Sequence, residues 1–282
     1  MMKRKDMPCG KRLLLEVGVP TFGPDGMQMV EKMNLPRLDG VCYLVSWQMP
    51  EGDIPESIAC RDDVRVLKLN SKGLSRNRNN ILAHARGDVV FFADNDLMLY
   101  PEGLKGIAEA FVRIPSLEFG VFKFESEIER IYPEGECSLE RMPKYFYPGS
   151  MFALRMDSRA GKLRFNEDFG LGADKFTAGE DDLLLMKARR LGLDCRYLPV
   201  AVAWHPGAST GFGGHLDKKA IAARGVLTAA EWPWTAPLRL LLGAWRIWRK
   251  GQASLVPALY HITRGALYGY LSQAFYNYLR KL

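Results

Sequence analysis

The chain has 282 residues, 48% of them hydrophobic and 25% charged, with a formal net charge of +7, ordinary for a soluble globular protein with one large domain or a domain and an appendage. Its five cysteines (Cys9, Cys42, Cys60, Cys137, Cys195) are odd in number, scattered and without a CxxC pair, which argues against a disulfide framework or a zinc site and fits a reducing cytosol. The basic excess suits anionic lipid or a phosphorylated substrate better than nucleic acid, because no helix-turn-helix, zinc-finger or RNA-recognition signature is present.

Met1 to Lys5 is basic, but the apolar stretch behind it is short, is broken by Glu16 and has no small-residue cleavage site, so it does not read as a secretory signal. No run approaches bilayer-spanning length. Leu13 to Val19 reads as a first strand, followed by the turn-rich loop Pro20 to Gly26, which suits either a nucleotide-facing loop or a plain surface turn. A short helix follows from Met27 to Asn34. Val41 to Ser46 and Val64 to Leu69 are the second and third strands. Gly73 to Ala85 is a helix stopped at Gly87, with Ser75 as N-cap. Strand and helix alternate with short connections, the pattern of an α/β domain.

The chain is organised around what comes next. Val89 to Ala93 is an uninterrupted apolar run, read as a strand buried on both faces, and it ends in Asp94, Asn95 and Asp96. Ligands of parallel sheets bind at the carboxyl ends of strands. Two acids there repel each other unless a cation neutralises them, and hard oxygen ligands suit Mg²⁺ or Mn²⁺ shared with phosphates. A solvated Asp-Asn-Asp turn ahead of the next helix is the plainer alternative. The start of the Ser75 helix falls on the same sheet edge, where Arg76 and Arg78 would meet an anionic ligand.

Pro101 to Ile114 is a helix, Leu117 to Phe124 a strand, and Glu125 to Pro148 a long polar loop suited to binding a second substrate. Met151 to Arg155 resumes the sheet. Gly179 to Gly192 is a helix with acids in its first turn and bases in its last. Those acids serve the helix dipole, or one of them looks into a cleft as a general base. Cys195 to Trp204 is extended and delivers His205 to its end, in the manner of the Asp pair, as a third metal ligand or phosphate contact. Ser209, Thr210, Gly211, Gly213 and Gly214 form a flexible stretch that would fold over phosphates or act as a linker. After Glu231 there is no acid at all. Leu238, Leu241, Leu242, Trp245 and Trp248 fall on one helical face flanked by Arg239, Arg246, Arg249 and Lys250, and a Tyr- and Leu-rich segment follows from Leu255 to Leu282. Such helices lie in an anionic membrane surface, or pack on the rest of the chain or on a second subunit.

From about Leu13 to Gly214 the sequence resembles a family-2-type glycosyltransferase of the GT-A fold. The resemblance is carried by Gly73-Leu-Ser-Arg-Asn-Arg-Asn79, Gly87-Asp-Val-Val-Phe-Phe-Ala-Asp-Asn-Asp96, Phe165-Asn-Glu-Asp-Phe-Gly170, Gly179-Glu-Asp181 and His205, in the family's order and approximate spacing. It implies a Rossmann-like α/β domain over residues 1–214, with a mixed, mainly parallel sheet and helices on both faces, followed by the amphipathic helices of 215–282. It further implies an inverting transfer from a nucleotide-diphosphate sugar, a UDP-sugar favoured, with Mn²⁺ or Mg²⁺. The acceptor would be a saccharide or lipid-linked saccharide in bacterial surface polysaccharide synthesis. By the same resemblance Arg78, Asn79, Asp94 and Asn95 lie at the donor, and Asp94, Asp96 and His205 at the metal. Asp181 is the base and Glu180 orients the acceptor, although helix phase leaves Asp182 as another candidate for the base. Asn95 stands where many relatives carry a third Asp. The implied setting is cytoplasmic, on the inner face of the membrane, with a homodimer as another use of the C-terminal helices. Rival readings are a phosphohydrolase with Asp94 as nucleophile and a non-catalytic scaffold of an assembly complex. A sugar-nucleotide pyrophosphorylase would need an N-terminal Gly-rich loop that this sequence lacks.

Overall fold

The computed structural model describes residues 13–127, 130–143, 146, 149, 151–205 and 216–282. The first half builds four parallel strands, β1 (Leu15–Phe22), β2 (Val41–Gln48), β3 (Val64–Leu69) and β4 (Val89–Phe92). They are connected through α1 (Gly26–Lys32), the short α2 (Glu56–Ala59) and α3 (Leu74–His84). Their order is β3-β2-β1-β4, so the chain leaves β1 to one side for β2 and β3 and returns on its other side with β4. That reversal opens a crevice at the carboxyl ends of β1 and β4, the place where such sheets take ligands. Glu16 locks the opposite end. It is fully buried and accepts hydrogen bonds from Arg65 (2.7 Å) and from the main-chain N–H of Gly87 (2.9 Å), at the entry to β4.

The second half adds β5 (Met98–Leu99), α4 (Pro101–Arg113), β6 (Phe119–Ser126), β7 (Cys137–Ser138), β8 (Phe152–Arg155), α5 (Glu180–Arg190) and β9 (Cys195–His205). β8 runs antiparallel between β4 and β6, β9 is parallel to β6, and the two-residue strands β5 and β7 flank β9 antiparallel. The result is a mixed α/β sheet whose long ladders are parallel, as the sequence leads one to expect. Helices cover both faces, which is why β4 has no polar side. Val89 and Phe91 enter one buried cluster with α1 and α4, and Val90 and Phe92 enter the other with α3 and α5.

Several expectations need correction. β1 continues to Phe22, three residues past the expected Val19. The 125–148 segment is not all loop: it begins as the end of β6 and contains β7, while residues 128–129, 144–145 and 147–148 lie outside the described residues. Ser75 does not cap α3. Gly73 holds the N-cap position at φ +112°, and the buried Ser75 hydroxyl donates instead to the Phe169 carbonyl at 2.5 Å. The cysteines Cys42, Cys60, Cys137 and Cys195 are free.

Four helices close the chain: α6 (Lys218–Glu231), which the sequence reading passed over, α7 (Ala236–Arg249), α8 (Leu255–Leu271) and α9 (Gln273–Arg280). α6 and α8 touch backbone to backbone. A Cβ on Gly225 would fall 1.9 Å from the Ile262 carbonyl oxygen, and one on Gly265 would fall 1.9 Å from that of Ala222, so only glycine fits at either crossing point. Val226 of α6 and Phe275 of α9 share a buried cluster with Phe169, Leu183 and Met186. Part of the C-terminal extension thus packs on the sheet domain, one of the alternatives its sequence allowed.

Candidate active site

Arg78 is the hub of the site. It lies one turn into α3, its side chain 1% exposed, and its guanidinium reaches three carboxylates from two distant stretches of the chain. Nη2 donates to Asp94 (2.9 Å), and Nη1 donates to Asp181 (2.5 Å) and to Glu180 (3.3 Å). The plane of the group packs over the Phe165 ring with 5.5 Å to its centroid. The α3 N-terminus is fixed by the Leu74 N–H donating to the Leu171 carbonyl (2.9 Å). Glu180 and Asp181 open α5, whose N-cap Gly179 adopts φ +89°, a left-handed turn that aims the first residues of the helix at the crevice.

One cation against three acids leaves an electrostatic deficit that the groups share. Burial opposes the charge on Arg78, but Asp181, Asp94 and Glu180 outweigh it and hold the guanidinium protonated above its ordinary range. Burial pushes the Asp181 carboxyl well above the usual carboxylate range; Arg78 pulls against this, and Glu180 and Asp94 add to the rise. Glu180 is raised by burial in the same way. A carboxylate raised above its ordinary range inside a cleft is the kind of group that accepts a proton in catalysis.

Asp96 turns the other way from Asp94. Two residues beyond it, Met98 of β5 pairs with Trp204 of β9, which brings Asp96 alongside His205 at the end of β9. His205 Nε2 stands 3.5 Å from Asp96 Oδ2, with the imidazole 12% and the carboxylate 42% exposed. Burial raises Asp96, against the attraction of His205 and with repulsion from Asp94. Among the described residues no three His, Cys, Asp or Glu side chains stand close enough to hold a metal ion together. The three expected ligands therefore do not form one cluster in the chain itself, because Arg78 engages Asp94 while Asp96 pairs with His205.

The remaining expected residues fall into distinct places. Asn95 donates to Thr21 Oγ1 (2.7 Å), and that hydroxyl donates to the Gly26 carbonyl (2.9 Å), so the acidic turn is tied to the loop after β1. Asn77 donates to the Thr21 carbonyl (3.0 Å) and braces the same loop. Asn79 does not join Asp94, Glu180 and Asp181 but turns to the 165–170 segment, where it also donates to Glu167 (3.2 Å). Its amide accepts from the Phe165 N–H (2.8 Å) and donates to the Phe165 carbonyl (3.0 Å), clamping the 165–170 segment on α3. Arg76 also points outward, to Glu167 (3.0 Å), so the pair of arginines expected at one anion is split and Arg78 alone reaches the crevice. Asp182 is exposed, and the charges acting on it besides Glu180 are Arg224 and Glu231 of α6 rather than Arg78. Ser209, Thr210, Gly211, Gly213 and Gly214 lie outside the described residues. Sequence reasoning missed Thr21 and Asn77, and gave Ser75 a capping role in place of its bond to Phe169; the hydrogen bonds of all three hold the site's loops together. Only the turn-rich character of 20–26 hinted at them.

Residues 55–171 match the family model described as glycosyl transferase family 2, a span that contains Arg78, Asp94 and Asp96 and stops short of Glu180, Asp181 and His205. No curated protein sequence matches the chain. Among solved structures, S. aureus TarS 1–349 in complex with UDP-GlcNAc aligns over 94% of this chain and 79% of that one, with a TM-score of 0.56 and 15% identity. A mannosyltransferase from Pyrobaculum calidifontis, PcManGT, in complex with GDP-Man and Mn²⁺, aligns over 93% of this chain and 88% of its own, with a TM-score of 0.54 and 14% identity. A longer TarS structure aligns over 77% of this chain at 18% identity and a TM-score of 0.55, and only 39% of that longer chain is covered. At these identities the likeness is one of fold.

Proposed function

We propose that this chain, a glycosyltransferase of the family-2 type on a GT-A scaffold, moves a sugar with inversion from a nucleoside-diphosphate donor, a UDP-sugar favoured, to a saccharide or lipid-linked saccharide acceptor. The setting is surface polysaccharide synthesis at the cytoplasmic face of a membrane, with residues 1–214 as the transferase domain and 215–282 as a helical extension. One observation carries the reading: Arg78 joins the acid at the end of β4 to the two acids that open α5. Donor-side and acceptor-side groups then share one crevice.

Asp181 takes the acceptor hydroxyl proton as that oxygen attacks the anomeric carbon from the face opposite the departing diphosphate. A positioned base of this kind contributes about 10²–10⁴ in rate. Glu180, deeper in the cluster, orients the acceptor, and Arg78 keeps both acids in place. Asn95, held by Thr21, shapes the donor floor. The carboxylate of Asp96 and the imidazole of His205 fit a divalent ion, because 3.5 Å between their ligating atoms is compatible with both reaching one ion at about 2.0–2.2 Å. Mg²⁺ and Mn²⁺ accept one or two protein ligands when phosphate oxygens and water supply the rest, and Asp94 is within the same turn to assist. Bound there, the ion supplies Lewis-acid stabilisation of the diphosphate leaving group. The UDP-GlcNAc bound by TarS and the GDP-Man and Mn²⁺ bound by PcManGT support this class of donor and of metal.

The test is a thermal-shift screen of nucleotide sugars with and without Mn²⁺. A diphosphate nucleotide should stabilise the chain only with the metal present, and Asp96→Ala should remove that response. Release of free phosphate from the nucleotide without sugar transfer would replace this reading with a phosphohydrolase. No response to any donor would favour a scaffold.

A further inference from the structure

Helix α7 carries apolar side chains on two of its sides. One side, with Leu240, Ala244 and Ile247, is buried among α6 and α8. The other, with Leu238, Leu241, Leu242, Trp245 and Trp248, is between 41% and 63% exposed. At about 100° per residue these five side chains fall within an arc of about 120°. A surface helix of a globular domain turns polar residues to water, and a contiguous apolar stripe of this size marks a contact with something else.

The charges around the stripe say what that something is. From Trp232 to Leu282 there are seven Lys and Arg and no Asp or Glu. Arg239 lies over the Trp232 ring (4.3 Å to its centroid) and Arg249 over that of Trp245 (5.1 Å), so guanidinium groups sit beside indoles at the edge of the apolar face. Among the described residues, Arg239, Arg246, Arg249 and Lys250 have no acidic partner in an ion pair. Leucines flanked by indoles and cations match the layers of an anionic lipid surface: acyl chain, interfacial belt and phosphate. A second copy of the chain is a poorer occupant. An isologous contact would set this acid-free, cationic stretch against itself, and like charges facing each other repel. At 14 residues α7 is about 21 Å long, and no described helix is long and apolar enough to cross a membrane. A helix of this length that meets a bilayer lies along its surface.

We infer that the outer side of α7 docks onto an anionic bilayer surface, with Leu238, Leu241 and Trp245 entering the headgroup–acyl boundary and Arg239 and Arg246 on lipid phosphates. This deepens the proposed setting at a membrane, but it needs no donor, metal or acceptor and stands or falls separately from the transfer chemistry.

The experiment is co-sedimentation of the full chain, without nucleotide, with phosphatidylcholine vesicles and with vesicles containing about 30 mol% phosphatidylglycerol. The expected result is at least about tenfold stronger partitioning to the anionic vesicles, lost at about 0.5 M salt, where screening is short-ranged. Leu241→Glu and Trp245→Glu should each lower that partitioning by about tenfold or more, since they place a charge in the apolar stripe. These side chains are exposed, so the donor-dependent thermal shift should persist in both variants, which separates failure of docking from failure of the transferase reading. On the unaltered chain, lipids brominated on the acyl chain should quench tryptophan fluorescence when anionic lipid is present. Equal binding to both vesicle types, no quenching, or a lipid-free dimer that Leu241→Glu dissociates would each overturn the inference.

Discussion

Replacing Arg78 by methionine removes a charge from the centre of the site while keeping much of the side-chain bulk. Asp94, Asp181 and Glu180 would then face one another with no cation among them. Removing one partner of a buried ion pair costs about 3–5 kcal/mol, because the remaining charges are left desolvated and uncompensated. For a chain of this size each kcal/mol moves the melting temperature by about 2–4 °C, so a drop of about 10 °C is expected near pH 8. The sign of the pH dependence follows from the acids. Burial already raises Glu180 and holds Asp181 well above its ordinary value, with Arg78 pulling against it in both. Without Arg78 they rise further, so between the unfolded value of about 4 and the raised folded value the native variant binds more protons than its unfolded chain. Its stability then increases as pH falls through that window, and the deficit relative to wild type shrinks toward about pH 5. Urea unfolding of both proteins at the two pH values reads this directly. A deficit below about 1 kcal/mol, or one of equal size at both pH values, would mean that lost packing rather than lost charge is responsible, and the hub reading would fall.

Asp181→Asn should leave donor-dependent thermal stabilisation intact and lower transfer by about 10²–10⁴. If the unmodified chain carries out the proposed transfer, its activity should fall as pH drops through a value above the ordinary carboxylate range, because in that mechanism Asp181 acts deprotonated and its carboxyl is raised by burial; an acid limb at or below about pH 4 would contradict this. Asn79→Ala should cost about 1–3 kcal/mol by leaving the Phe165 main chain unpaired, with donor affinity little changed. A large loss of donor affinity at unchanged stability would restore the donor contact that the resemblance implies. Gly225→Leu should prevent α6 and α8 from closing, since its Cβ would overlap the Ile262 carbonyl. Limited proteolysis should then cut within the C-terminal helices, and a chain as resistant as wild type would refute the close crossing.

β2 and β4 were legible because they are buried on both faces and read as unbroken apolar runs, and the half-buried β3 was legible from its alternation. Val64–Leu69 matches its expected bounds, and Val89–Phe92 ends where the acids begin, one residue short of the expected run. α5 was legible from its acids, its bases and Gly192, which takes φ +68° just past the helix. β5 was missed because two residues are too few to show a period; its strand character comes only from pairing with β9. α6 was missed because Ala and Gly at its crossing with α8 give little hydrophobic contrast, although those small side chains are what lets the helices meet. At the site, residue types marked Arg78, Asp94, Asp96, Asp181 and His205 as candidates but did not give their pairing. That Asp94 would turn to Arg78 and Asp96 to His205 depends on contacts across up to 109 positions in the chain, which local pattern does not encode. The same limit explains Asn79, whose neighbour in sequence enters the crevice while its own amide is spent on Phe165.

The central claim is that Asp96 and His205 hold a divalent ion together with the diphosphate of a nucleotide donor. Electron paramagnetic resonance of Mn²⁺ measures it without relying on turnover. Addition of the chain to Mn²⁺ and UDP should convert the spectrum of the free Mn²⁺–nucleotide complex to that of an immobilised ion, and Asp96→Ala should abolish the conversion. A spectrum unchanged by the wild-type chain with UDP and with GDP, or one converted equally by Asp96→Ala, would contradict the account.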